Sequence, residues 1–513
     1  MSKIEVYNSC IVINNYEWGD CTKLESIFSI YERVTHQIFY LGIHYDEENK
    51  RLFLSRGLDI WYVESAIGEK AHYISKPYKY DYIGNTKLKV GPRDDRQKEI
   101  LRFCLGKGEY KETETASQLS INANTGFGKT YIAIATISYY EIKSIIIAYS
   151  VSWLNQWKER IMQYTGISKK EIKIISGSGE INKLLKTEDT SKYKIYAVTH
   201  STIQNFASEN GWEKISELFE HLKIGIKIYD EAHTNFSNMC MIDFYTNVYK
   251  TYYLTATPAR SSEDENRIYN LYFKNIKSIS LFNEDNDPHT KYICIKYNSN
   301  PSVFDISECK NAYGLDRNRY MNYLVNKAEY YKLLTVIMDL ALKVKGKVLI
   351  YIGTNSAIMK TYDYLIKYYP EIWDDIGIFT TLVSKEEKEA NKDKKIILST
   401  TKSAGASMDI DNLKMTVVLN EPFKSHVLAQ QTLGRTRADN TFYIDCVDLG
   451  FKQLRRFYTY KRPIFDKYAS DVSEIYLRDP DLEYRANSIR QERSNIKVPL
   501  IQMSLTEPID DMD

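Results

Sequence analysis

Residues 118 to 139 constrain the fold of this 513-residue chain more than any other stretch. Gln118–Asn122 can be a strand, the next eight residues read Ala-Asn-Thr-Gly-Phe-Gly-Lys-Thr, and Tyr131–Tyr139 is a plausible helix. A loop between strand and helix that is to hold phosphate needs inward backbone N–H groups and small residues for close approach. It also needs a lysine for the outer phosphates and a hydroxyl for magnesium. Ala123, Thr125, Gly126, Phe127 and Gly128 are expected to line such a loop, with Lys129 on the phosphates and Thr130 on the metal. A plain glycine turn before a helix is the competing reading, and the segments downstream weaken it.

About 100 residues later comes Asp230-Glu231-Ala-His233, directly after the alternating isoleucines of Ile224–Tyr229. Lys143–Tyr149, Tyr193–Val198 and Ile224–Tyr229 read as strands with helical stretches between them, the order of a parallel sheet covered by helices. The carboxylates then sit at a strand's C-terminal end, where open α/β sheets bind ligands. Asp230 is expected to hold magnesium and Glu231 to orient or deprotonate an attacking water. Carboxylate, hydroxyl and phosphate oxygens are hard ligands and suit that metal. ATP and Mg2+ are the expected cofactors.

Apolar residues make up 43% and charged residues 27%, a soluble globular profile. No run approaches the roughly 20 apolar residues of a bilayer span, and the start Met-Ser-Lys-Ile-Glu-Val lacks a signal-peptide core. The expectation is a cytoplasmic protein, in the host cytoplasm if phage-encoded. Seven cysteines, at 10, 21, 104, 240, 294, 309 and 446, form no Cys-x-x-Cys pair and read as buried thiols. The net charge of +2 divides unevenly: from Pro463 onward 6 Lys/Arg face 11 Asp/Glu, which leaves +7 on residues 1–462. A groove that follows phosphates is permitted by these numbers but not demanded.

Residues 1–88 read as a small α+β accessory domain. His36–Tyr45 and Arg51–Ser55 flank the turn-like Asp46–Lys50 as a hairpin, and Leu24, Ile27, Phe28 and Tyr31 share a helical face. Tyr40, Tyr45, Trp61 and Tyr62 are expected in its core in preference to a base-stacking role. Residues 89–285 form the first α/β domain and 286–320 a linker. Residues 321–462 form a second α/β domain with strands at Lys347–Ile352, Lys395–Ser399, Met415–Leu419 and Phe442–Val447. Residues 463–513 are a helical, acidic extension.

The chain from about Gly91 to Leu449 resembles superfamily 2 DNA helicases that bear a DEAH box, nearest in layout to the phage UvsW-like and XPB-like branch. The resemblance implies an α/β fold of two tandem RecA-like parallel-sheet domains with ATP between them. It assigns Gln97, within Pro92-Arg-Asp-Asp-Arg-Gln97, to adenine, although Arg96 replaces the usual tyrosine neighbour. Gln156 and Trp157, in Ser150–Trp157, resemble a nucleic-acid-contacting motif, as do Thr199 and Thr202 in Val198–Thr202. Thr255-Ala-Thr257-Pro resembles the motif that couples hydrolysis to strand binding, with His233 as its partner. Ser399–Asp409 resembles a motif that places Thr400 on the nucleic-acid backbone and Asp409 on the ribose. Gln431-Thr-Leu-Gly-Arg435-Thr-Arg437 resembles the arginine-finger motif, with Gln431 in coupling. The usual last arginine falls on Ala438, so Arg435 and Arg437 share the assignment.

The resemblance implies an ATP-dependent helicase or translocase acting on single-stranded or branched DNA, without membrane association. An RNA helicase, a packaging ATPase and an ATP-gated clamp that does not separate strands are the alternatives. A clamp has no need of the complete hydrolytic set, and no acidic nuclease cluster of a packaging enzyme follows.

Overall fold

The computed structural model describes residues 2–32, 36–74, 76–84, 86–123, 127–256, 263–281, 290–312, 314–404, 410–423, 425–433 and 440–494. The chain divides into two compact units, Met1–Asn286 and Asp287–Asp513.

The first unit is organised by a seven-stranded sheet whose registers are all parallel. Across it the strands run Ile172–Ile175, Ile195–Thr199, Ser144–Ala148, Ile226–Asp230, Lys250–Thr255, Gln118–Ala123 and Lys277–Leu281. Helices cover both faces of such a sheet, so its central strands are continuous apolar runs; every residue of Ser144–Ala148 is buried. Lys227 departs from this rule and is fully buried, with its ammonium 2.5 Å from Asp243. Asp243 also accepts from the hydroxyls of Tyr229 at 2.8 Å, Tyr253 at 2.6 Å and Tyr272. Four donors around one carboxylate offset the cost of taking both charges out of water.

The N-terminal residues fold into a five-stranded sheet in the order Ile43–Asp46, Arg51–Ser55, Cys10–Asn14, Lys3–Val6, Ala71–Tyr73. The expected hairpin spans Ile43–Ser55, with Ile43 opposite Leu54 and Asp46 opposite Arg51. Its first expected residues do not join it: Gln37–Tyr40 pairs instead with Ser29–Glu32. The expected helix ends at Phe28, so Tyr31 lies on that ribbon and is exposed. Tyr40 and Trp61 are also exposed rather than in a core, while Tyr45 and Tyr62 are half-buried. This sheet shares one apolar core with the larger one, through Phe53, which stacks on Phe244 at 5.9 Å and meets Tyr245 in a tilted contact at 4.7 Å. Ser9 donates its hydroxyl to the Asp243 carbonyl at 2.7 Å across the same seam.

The second unit repeats the architecture. Its seven strands are all parallel and run Ile376–Phe379, Ile396–Ser399, Lys347–Ile352, Leu413–Leu419, Thr441–Asp448, Thr290–Tyr297 and Asp471–Tyr476. Two of these correct the sequence reading. Thr290–Tyr297 falls in the expected linker, yet it is an interior strand paired along its whole length with Thr441–Asp448. Asp471–Tyr476 falls in the expected extension and forms the sheet's edge beside it. Polar residues next to both segments hid strands whose inward side chains, Tyr292 and Cys294 among them, are buried.

Candidate active site

Gln118–Ala123, Ser144–Ala148, Ile195–Thr199, Ile226–Asp230 and Lys250–Thr255 all run parallel, so one edge of the first sheet gathers their C-terminal ends. Lys129, Thr130, Thr199, Asp230, Glu231 and Thr255 lie at or just after those ends. Thr125 and Gly126 lie outside the described residues, as do Thr257, Asp409, Arg435 and Arg437 and the side chain of Gln431.

Lys129 opens the helix Lys129–Tyr140 and is buried. Its ammonium donates to the carbonyl of Ala123 at 2.8 Å and stands 3.7 Å from Glu231 Oε1. Thr130 follows on the first turn and is half-buried. Gly128 has φ +94°, a conformation costly for residues with a side chain, and a Cβ there would meet Gln97 Nε2 at 2.3 Å.

Gln97 sits on the first turn of Asp95–Leu105, whose cap Asp94 accepts from the Gln97 N–H at 2.8 Å. Its side-chain amide donates to the Phe127 carbonyl at 2.9 Å and accepts from the Arg93 N–H at 2.8 Å. The residue expected to read adenine therefore spends both amide ends on backbone and fixes the shape of the loop beside it.

Asp230 ends its strand, and the left-handed φ of Glu231 (+49°) turns the chain so that both carboxylates reach the same edge. Burial, then the neighbouring charge of Glu231, pushes the Asp230 carboxyl up to about 6; the Trp157 N–H and the Lys129 ammonium act in the opposite sense. Two adjacent carboxylates, one of them reluctant to ionise, favour a bound cation. With the Thr130 hydroxyl they supply the hard oxygen donors that magnesium takes, so the residues fit that metal.

His233 and Thr255 are brought together, with Nδ1 and Oγ1 2.7 Å apart and both residues buried. His233 Nδ1 also lies 3.4 Å from Glu231 Oε2, which accepts from the Ala256 N–H at 3.2 Å. The turn after Asp230 is thereby tied to the end of the adjacent strand.

The candidates for nucleic-acid contact are placed differently from one another. Gln156 is exposed, but Trp157 is 2% exposed and donates its indole N–H to Asp230 Oδ2 at 2.7 Å. Trp157 faces the carboxylates and not the surface, which corrects its assignment. The signal was present in the sequence: Trp153, Leu154, Trp157 and Ile161 share the inward stripe of helix Val151–Tyr164. Thr199 is buried and caps helix His200–Asn210, accepting from the Thr202 N–H at 3.1 Å, while Thr202 is half-buried on the first turn. In the second unit Thr400 is buried at the end of its strand and accepts from the Ser403 N–H at 3.1 Å.

Glu421, in the second unit, is a buried carboxylate that sequence reading did not single out. It is buried, accepts from the Thr401 N–H at 3.2 Å and the Thr401 hydroxyl at 2.5 Å, and pairs with Arg317. No motif marks it, because its partners come from segments about 20 and 100 residues away.

Residues 89–260, about a third of the chain, match the family described as the Type III restriction enzyme, res subunit. A putative DNA 3'-5' helicase Rad25 of Haloarcula marismortui is 25% identical over 184 residues, 36% of this chain and 25% of that protein. The transcript termination protein A18 of Yaba-like disease virus is 25% identical over 360 residues, 66% of this chain and 67% of that protein. The chain thus spans only a quarter of the first relative's length. Among solved structures, Saccharomyces cerevisiae Dbp5 bound to RNA and ADP BeF3 shares the fold, with a TM-score of 0.50 and 15% identity. That likeness covers 77% of this chain and 92% of Dbp5. The fold of the chain, with its two parallel sheets, is that of tandem RecA-like domains. No helix among the described residues is long and apolar enough to cross a membrane.

Proposed function

We propose that this chain is an ATP- and magnesium-dependent nucleic-acid helicase or translocase that acts on DNA, with single-stranded or branched DNA as substrate. The observation that carries the reading is the approach of Lys129 to within 3.7 Å of Glu231, which joins the phosphate loop to the carboxylate turn. Lys129 holds the outer phosphates, and Glu231 orients or deprotonates the water. Thr130 and Asp230 are the ligands proposed for magnesium, which when bound supplies charge to the transferred phosphoryl group. Ala123, Thr125, Gly126, Phe127 and Gly128 wrap the phosphates, and Gln97 sets that wrap by holding the Phe127 carbonyl.

His233 with Thr255, and by resemblance Thr257 and Gln431, relay the state of the nucleotide to the strand. Arg435 and Arg437 are the proposed arginine fingers, and Asp409 the proposed ribose contact. Gln156, Thr199, Thr202 and Thr400 are proposed to touch the nucleic-acid backbone. Contacts of that kind carry little sequence preference and weaken steeply with salt. DNA is favoured by the name of the archaeal relative; the RNA in the Dbp5 structure keeps an RNA helicase as the second reading. The UvsW-like and XPB-like branch and a cytoplasmic setting are parts of the same proposal.

The test is ATP hydrolysis by the wild type and Glu231→Gln with single-stranded DNA, forked DNA or RNA as stimulant. The reading expects DNA, forked DNA above all, to raise the wild-type rate and not the variant's. Stimulation by RNA alone would transfer the assignment to the second reading, and silence with all three would overturn both.

A further inference from the structure

Two tryptophans of helix Val151–Tyr164 point inward, and they are treated differently. Trp153 is buried with its indole N–H unpartnered, whereas Trp157 aims its own at Asp230 Oδ2 at 2.7 Å. Simple packing does not require the second arrangement, since the first is tolerated on the same helix. Gln156, next to Trp157, is exposed, as are Val151, Ser152 and Arg160 of the same helix. The strand that leads into this helix, Ser144–Ala148, is the hydrogen-bonded neighbour of Ile226–Asp230. Helix and carboxylate therefore hang from adjacent strands, with the indole bridging them.

We propose that Trp157 is a positioning residue through which a strand lying on the outer face of helix Val151–Tyr164 sets the orientation of the Asp230 carboxylate. The inference rests on the function proposed above and adds the route by which strand and nucleotide sites communicate. The indole fixes Oδ2 and with it the plane of the carboxylate. A helix shift of about 0.5 Å is enough to carry that bond to the edge of hydrogen-bonding range. A strand that moves the helix toward or away from Asp230 thus changes how firmly the carboxylate is held for the cation. By linkage, occupancy of the nucleotide site must change strand affinity by the same factor.

The test replaces Trp157 with 3-benzothienylalanine, which keeps the bicyclic shape and puts sulfur where the N–H was. The affinity of the full chain for a labelled single-stranded oligonucleotide is measured by fluorescence anisotropy, with and without Mg2+ and a non-hydrolysable ATP analogue. The wild-type ratio of the two affinities is expected to fall in the range of about 5 to 150. The analogue at position 157 is expected to bring that ratio close to one. A substituted protein that keeps the wild-type ratio overturns the proposal while leaving the helicase reading intact. A wild type that binds the strand with a ratio of one overturns it as well, and a wild type that binds no strand overturns the underlying function.

Discussion

The ammonium of Lys129 stands between the Ala123 carbonyl at 2.8 Å and Glu231 Oε1 at 3.7 Å. One side chain thus spans the distance between the loop proposed to hold phosphate and the turn proposed to position water, and the two partners should fail in different ways. Lys129→Ala is expected to lose nucleotide binding. Glu231→Gln keeps the shape and the acceptor oxygen, so it should bind nucleotide near normally and lose turnover by about a hundredfold or more. Isothermal titration with an ATP analogue, alongside a phosphate-release assay, separates the two; equal loss of binding in both variants would contradict the assigned roles.

Gly128→Ala should be more damaging than its single added methyl implies. Its φ of +94° is unfavourable for alanine, and the Cβ would fall 2.3 Å from the Gln97 amide that holds the Phe127 carbonyl. A loss of about 1–3 kcal/mol in stability is expected, with weaker nucleotide binding. Pairing it with Gln97→Ala, which removes the clash, should recover part of the stability in thermal unfolding.

Asp230 sets a pH dependence with a definite sign. Its folded carboxyl is raised from 3.8 to about 6, chiefly by burial and then by Glu231. Between those values the folded protein holds a proton that the unfolded chain has released. Stability in the absence of metal therefore falls as pH rises from about 4 to 6 and stays lower above that window, by about 1–3 kcal/mol. Asp230→Asn should remove this step in urea denaturation followed across pH, and should be more stable than wild type at pH 8 without magnesium. An unchanged profile would show that Asp230 does not titrate there.

The buried Lys227–Asp243 pair predicts a large effect far from the nucleotide site. Lys227→Met leaves Asp243 in the core with only tyrosine donors, and a loss of about 3–5 kcal/mol is expected. The measurement is the urea midpoint at constant slope, and a shift below about 1 kcal/mol would mean that the tyrosines alone satisfy the carboxylate.

The strand and helix that flank the loop proposed to hold phosphate, and the strand that ends in the carboxylate turn, were legible because each is written in consecutive residues. Four strands of the second unit were legible for a similar reason, since Lys347–Ile352 and its neighbours are apolar on both faces. Thr290–Tyr297 and Asp471–Tyr476 were not, because alternating polar residues there look like linker until a partner strand covers the other face. Trp157 was misplaced by trusting a motif over the stripe formed by Trp153, Leu154 and Ile161. Tyr40, on the strand Gln37–Tyr40 that is exposed throughout, and Trp61, on the outer side of helix Ile60–Ile67, show the limit of composition, which gives aromatic content but not its placement. Glu421 depends on contacts between distant segments, and nothing local announces it.

Strand displacement on a forked DNA with one labelled arm tests the central claim most directly, using the wild type, Lys129→Ala and Glu231→Gln in the presence of ATP and Mg2+. Release of the labelled strand by the wild type alone, and only with hydrolysable ATP, is the predicted result. Strand-stimulated hydrolysis with no release of the labelled strand, or of a triplex placed in its path, would contradict a motor and leave an ATP-gated clamp.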